Sequence, residues 1–143
     1  MSRSFQVTFD AHNTGALAEF WAEVLGYILE PPPEGFDSWD AFADTVGIPD
    51  EDRDQLAAVV DPEGAGPRIL IQKVPEPKTA KNRCHLDVVV ADRSREPAER
   101  KAAIEAEADR LVGLGATRGE SFDEAIGTWT VMQDPEGNEF CLH

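Results

Sequence analysis

The residues of this chain best suited to chemistry are few. Among its three histidines and two cysteines, His85 opens a run of strand-forming residues, His85-Leu-Asp-Val-Val-Val-Ala91. A histidine there serves as a general base near neutral pH or as a hydrogen-bonded structural residue. Asp87 is two residues on and so shares its face, where it either orients the imidazole or meets solvent. Cys141 stands between Glu139 and His143 in a second strand-like run, and alternation turns all three the same way. A thiolate there would suit a soft metal, whereas a neutral thiol would simply pack. Cys84, one residue before His85, should face away from it, so the two cysteines are expected to be unbonded. His12 reads as a surface loop residue. No nucleophile elbow, phosphate-binding loop, dinucleotide fingerprint or HExxH pattern is present, which removes the common hydrolase, nucleotide and zinc-protease readings.

The elements that must position these groups come in two matching sets. Asp-Pro-Glu-Gly occurs at Asp61–Gly64 and again at Asp134–Gly137, 73 residues apart. Each copy lies between strand-like runs, Ala57–Val60 and Arg68–Ile71 in the first case, Thr128–Met132 and Glu139–Leu142 in the second. Proline followed two residues later by glycine suits a tight turn, so each copy predicts a hairpin. Upstream, each half repeats a strand and an amphipathic helix. The strand Gln6–Ala11 precedes a helix over Thr14–Leu25 with Leu17, Phe20, Trp21, Val24 and Leu25 on one stripe. The strand His85–Ala91 precedes a helix over Pro97–Val112 with Ile104, Ala108, Leu111 and Val112 on its stripe. Both helices lead through a Leu-Gly step into a short strand. The order is β-α-β-β-β twice, and neither half of about 70 residues has much core alone.

One stretch breaks the symmetry. Residues 30–56 have no counterpart in the second half. After Pro31-Pro32-Pro33, the residues Phe36, Trp39, Phe42, Ala43 and Val46 recur at helical spacing, with Asp37 or Ser38 as N-cap and Pro49 as stop. An acidic stretch, Asp50–Asp54, follows. The insert is either a lid over a binding site or a helix covering an open sheet edge.

Composition bounds the rest. In 143 residues, 28 acidic side chains face 13 basic ones, giving a net charge of −15. Such a chain repels phosphate backbones and anionic lipid, so no nucleic-acid or membrane partner is expected. With no apolar run long enough to span a bilayer, no room for a signal peptide ahead of the first strand and few cysteines, the expected location is the cytoplasm. Between Lys73 and Arg83 the charge inverts to +3, which either steers a small anion or pairs with acids of the other module or of a second subunit.

Taken together, the doubled β-α-β-β-β order, the Phe20-Trp21-Ala22-Glu23-Val24-Leu25-Gly26-Tyr27 helix end, the strand opening at His85 and the closing Asp134-Pro135-Glu136-Gly137-Asn138-Glu139-Phe140 resemble the vicinal oxygen chelate superfamily. That superfamily includes glyoxalase I, fosfomycin and bleomycin resistance proteins and extradiol dioxygenases; the nearest branch is the bacterial glyoxalase-like domain proteins. The resemblance covers nearly the whole chain outside Pro31–Asp54. It implies an α+β fold of two tandem modules with pseudo-two-fold symmetry, their curved mixed sheets forming a cup. The chain is then one domain over 1–143, with module one at about 5–75, its insert at about 30–56, and module two at about 83–143. A homodimer is expected, because curved sheets leave edges to cover.

The resemblance also implies a ligand set. Metal-using members take ligands from the first and fifth strands and from the last, which places Gln6 and His85 at the first two positions. At the third, the family's glutamate is replaced by Cys141. Glu139 could substitute only with a shift of about 6.6 Å along the strand. The expected cup involves Gln6, Gln72, His85, Trp129, Glu139 and Cys141, with Phe36, Trp39 and Phe42 as a lid and His85 as the catalytic candidate. Two functions follow. One is a small-molecule-binding protein of the resistance or sequestration type with no cofactor. The other is a lyase, isomerase or dioxygenase acting on vicinal oxygens through one divalent ion (zinc, nickel, iron or manganese) held by Gln6, His85 and either Cys141 or Glu139.

Overall fold

A computed structural model describes residues 2–143 of the chain. The chain divides into two compact units, one ending at Glu76 and the other running from Pro77 to His143.

The first unit begins with β1 (Val7–Ala11) and α1 (Thr14–Leu25), followed by β2 (Ile28–Leu29), α2 (Trp39–Val46), a single 3-10 turn at Asp50–Asp52, β3 (Leu56–Val60) and β4 (Ile69–Lys73). Its sheet has the order β1-β4-β3-β2, with β1 parallel to β4 and the other pairs antiparallel. Asn13 caps α1 by accepting from the Ala16 amide, and Gly26 ends it at φ 67°, a conformation that costs glycine little. Leu17, Phe20, Trp21 and Val24 are buried as their spacing predicts, and Trp21 stacks on Phe9 of β1 at 4.8 Å.

The second unit repeats the order with β5 (Asp87–Val88), α3 (Pro97–Gly113), β6 (Thr117–Glu124), β7 (Gly127–Gln133) and β8 (Glu139–Leu142). Its sheet order, β5-β8-β7-β6, matches the first, again with its opening strand parallel to its last. The architecture is therefore α+β, two four-stranded mixed sheets and three α-helices. Among the described residues, no helix is long and apolar enough to cross a membrane.

The repeated tetrapeptide is a structural device. Asp61 accepts from the amides of Glu63, Ala65 and Gly66. The buried Asp134 accepts from those of Glu136 and Asn138 and from the Asn138 side chain. Each aspartate organises the loop of its hairpin, β3–β4 or β7–β8.

Several expectations are corrected. The strand expected over His85–Ala91 is a ladder only at Asp87–Val88. As an edge strand it has a partner on one side, and isolated bonds, Cys141 N–H to Leu86 O and Val90 N–H to His143 O, extend it. The short strand after Leu114-Gly115 is instead eight residues long, because it forms a hairpin with β7 across Ala125-Ile126. Its counterpart β2 is cut short by the three prolines that follow, which cannot donate to a ladder. Gly47 at φ 77° ends α2 before Pro49 is reached, and Ser38 rather than Asp37 is its N-cap. Val112 is exposed, off the buried stripe of Ile104, Ala108 and Leu111.

Candidate functional site

In the second unit, β5 and β8 bring the chemistry together. Parallel pairing sets Asp87 opposite Cys141. Along β8, Phe140 and Leu142 are buried beneath the sheet while Cys141 is half-buried on the other face, which it shares with Asp87. His85, two residues ahead of Asp87, places Nε2 3.1 Å from its Oδ1. With Nε2–H donated to the carboxylate, Nδ1 is left as the basic nitrogen. Asp87 thus contacts the imidazole while remaining exposed to solvent.

Cys141 completes the cluster. One ligand atom each from His85, Asp87 and Cys141 lie within 4.8 Å of one another. Burial and the adjacent Asp87 carboxylate, which accepts the thiol's hydrogen bond, push the Cys141 thiol up, against the opposing pull of Lys81. In the absence of a metal this favours the neutral thiol. Cys84 is exposed and both cysteines are free.

These three side chains line a cavity of about 390 Å³. Trp129 forms another wall, stacked on Phe122 at 5.1 Å and so held rigid. Among the charged lining residues, sequence reasoning missed Arg93 and Arg100, while His143 lines the cavity on the face it was expected to share with Cys141. Arg100 carried a readable signal. It precedes Ile104 by four and continues the buried stripe of Ile104, Ala108 and Leu111, where an apolar residue is expected.

Glu139 is engaged elsewhere. Its carboxylate accepts from the Asn82 amide at 2.9 Å and from Lys78 at 3.0 Å. Burial opposes its ionisation, but the Asn82 amide and the Lys78 ammonium prevail and hold the carboxyl at about 2. Glu139 does not line the cavity. Two members of the basic run pair within their own units, Lys73 with Asp54 and Lys78 with Glu139.

The first unit holds the other expected residues. Gln6 is exposed just ahead of β1, and its side-chain oxygen accepts from Arg68 at 3.2 Å. Arg68 in turn grips Glu30 in a two-point pair at 2.7 and 2.5 Å. Gln72 is exposed on β4. Trp39 donates its indole N–H to Glu30 O at 2.8 Å. With Phe42 it walls a separate cavity of about 480 Å³ against Leu56, Ala58 and Leu70, and Phe36 meets Phe42 edge-on at 5.2 Å. The insert therefore borders a cavity that it shares with β3 and β4.

A glyoxalase-like domain model matches residues 6–143, nearly the whole chain. The chain belongs to the glyoxalase-like family. Solved structures with this fold include a glyoxalase/bleomycin resistance protein/dioxygenase family enzyme from Burkholderia phytofirmans PsJN (14% identity, 96% of this chain and 94% of that one, TM-score 0.63). The fosfomycin resistance protein FosX from Mesorhizobium loti aligns at 12% identity over 100% and 91% of the two chains, with TM-score 0.62. A bleomycin-binding protein from Streptomyces verticillus, complexed with copper(II)-bleomycin, aligns at 16% identity over 99% and 95%, with TM-score 0.54. No curated protein sequence matches the chain. At these identities the likeness is one of fold, and this family's fold carries both binders and resistance proteins.

Proposed function

We propose that this glyoxalase-like protein binds a small molecule in the second unit's cavity, in a resistance or sequestration role that needs no metal. The carrying observation is how the ligand positions are engaged within the chain. At the third ligand position stands Cys141, whose thiol meets the Asp87 carboxylate, and the nearest glutamate, Glu139, is held by Lys78 and Asn82. The cluster satisfies itself through His85–Asp87–Cys141 contacts, leaving the His85 ring and the Trp129 wall for an organic ligand. A bleomycin-binding protein of the same fold supports a binding role. The reading includes a cytoplasmic homodimer: two free thiols suit a reducing compartment, and the edge strand β2 exposes Ile28 and Leu29.

A specific observation favours a second reading, a divalent-metal-dependent lyase, isomerase or dioxygenase acting on vicinal oxygens. Imidazole nitrogen, carboxylate oxygen and sulfur within 4.8 Å form a donor set that fits a zinc-like ion. Asp87 would supply an anionic ligand beside His85 and Cys141. Bound there, an ion would polarise the substrate's oxygens. The chain's own part would be to release the Cys141 proton and to orient the substrate against Trp129.

A thermal-shift screen separates the two, with zinc, nickel, iron(II) and manganese alone and a metabolite library with and without chelator. Binding at 100 times Kd should add about 2.7 kcal/mol. The proposal expects stabilisation by an organic compound that survives chelator. One tightly held ion per chain by elemental analysis, lost in His85→Ala, with ligand stabilisation that requires it, would establish the metal reading instead.

A further inference from the structure

This inference rests on the second-unit cavity being the ligand site, and it concerns what the ligand carries. In a chain with 28 acidic against 13 basic side chains, cations find partners easily. Arg68 pairs with Glu30, Arg110 with Glu107, and Arg118 with Glu105 and Asp109. Two arginines, the exposed Arg93 and the half-buried Arg100, stand at the cavity instead. Both line the cavity, and among the described residues neither side chain has a hydrogen-bond or ion-pair partner. The Arg100 Nε is buried with its hydrogen unmatched. A buried donor of that kind is costly unless something outside the chain satisfies it.

The surroundings narrow what that is. The one side-chain carboxylate in the cavity's lining, Asp87, is occupied by His85 and Cys141. Counting side chains with neutral histidines, two arginines against Asp87 give the lining +1 in a protein of −15. Apolar surface completes it: Val89 and Ile126, 66% and 84% exposed, together with Trp129 and Ile104. At about 390 Å³ the space suits a compact molecule. Guanidinium offers a planar pair of donors matched to a carboxylate.

We propose that Arg100, with Arg93 beside it, holds the anionic group of a small organic acid whose apolar body rests on Trp129 and Ile126. Arg100 comes from the first turns of α3 rather than from a sheet face, so it supplies charge selection separately from the His85–Asp87–Cys141 cluster.

Isothermal calorimetry on the full chain with benzoate and its neutral analogue benzamide tests this. Benzoate should bind saturably and benzamide about tenfold or more weakly. Arg100→Gln should lose that preference, while Arg95→Gln, in the same approach to α3 but outside the cavity, should keep it. If the thermal midpoint shows Arg100→Gln to be unfolded, Arg93→Gln carries the same comparison. Equal binding of the two compounds, or an equal loss in Arg95→Gln, overturns the charge assignment while leaving a binding cavity. Failure of both compounds to bind at millimolar concentration overturns it and counts against the cavity as a ligand site.

Discussion

Arg53 in the first unit and Arg100 in the second each bury a guanidinium Nε without a hydrogen-bond partner, and each lines its own unit's cavity. Arg53 is surrounded by Asp40, Asp44 and Asp50, at 3.4, 2.5 and 2.9 Å. Its charge is spent inside the chain, tying α2 to the 3-10 turn. Arg100 has no such ring. The same contrast separates Gln6, held by Arg68 in the first unit, from His85, held by Asp87 in the second. A repeated backbone thus carries two different chemistries. The first unit uses its polar side chains to fasten the insert, and the second leaves imidazole, thiol and guanidinium facing a cavity.

The largest difference between the halves should appear in their cores. Trp21 is fully buried and stacked on Phe9, so Trp21→Ala should cost about 3–5 kcal/mol. Leu111, equally buried under the second sheet, should cost about 2–5 kcal/mol as Leu111→Ala. Chemical denaturation measures both, and a loss below 1 kcal/mol at either site would contradict the assigned core.

The two turn aspartates come next. Asp134 is 2% exposed and accepts from two amides and a side-chain amide, so Asp134→Ala should destabilise by about 1–3 kcal/mol. Asp61 serves the same turn in a more open setting, and Asp61→Ala should lose clearly less. Equal losses would remove the distinction.

A smaller, pH-dependent effect belongs to Glu139. Its carboxyl is lowered from the ordinary 4.5 to about 2 in the folded protein. Its contribution is therefore complete above about 4.5 and fades as pH falls toward 2. After allowance for solvent screening, Glu139→Gln should be less stable by roughly 1–2 kcal/mol at neutral pH. The gap should close on acidification. A gap that widens in acid would reverse the assignment.

The smallest effect is local. Arg53→Gln leaves three aspartates facing one another, so residues 37–53 should exchange amide hydrogens faster while the global midpoint hardly moves. Arg100→Gln should leave exchange in the second unit unchanged. Matching acceleration in both variants would mean that Arg100, like Arg53, is a strut.

Much of this frame was legible in the residues. Thr14–Leu25 showed its helix through apolar spacing and Gly26, and the paired Asp-Pro-Glu-Gly turns showed both hairpins, because these signals are local. Strand alternation put His85 with Asp87 and Cys141 with His143, and the family resemblance brought the two sets together. What was not legible depends on pairing between distant strands. Only the β5–β8 register sets Asp87 against Cys141, and only tertiary packing turns Glu139 toward Lys78 and Asn82. Arg100 was visible as a charge on an apolar stripe, but its missing partner shows only once the acids around it are placed.

The central claim is that the second unit carries the ligand site, and amide chemical-shift mapping with benzoate tests it most directly. The account predicts perturbations confined to residues 85–93, 100–104, 126–129 and 141–143. Perturbations at Leu29, along α2 and at Leu56–Ala58, with the second unit unmoved, would place the ligand in the other cavity and contradict it.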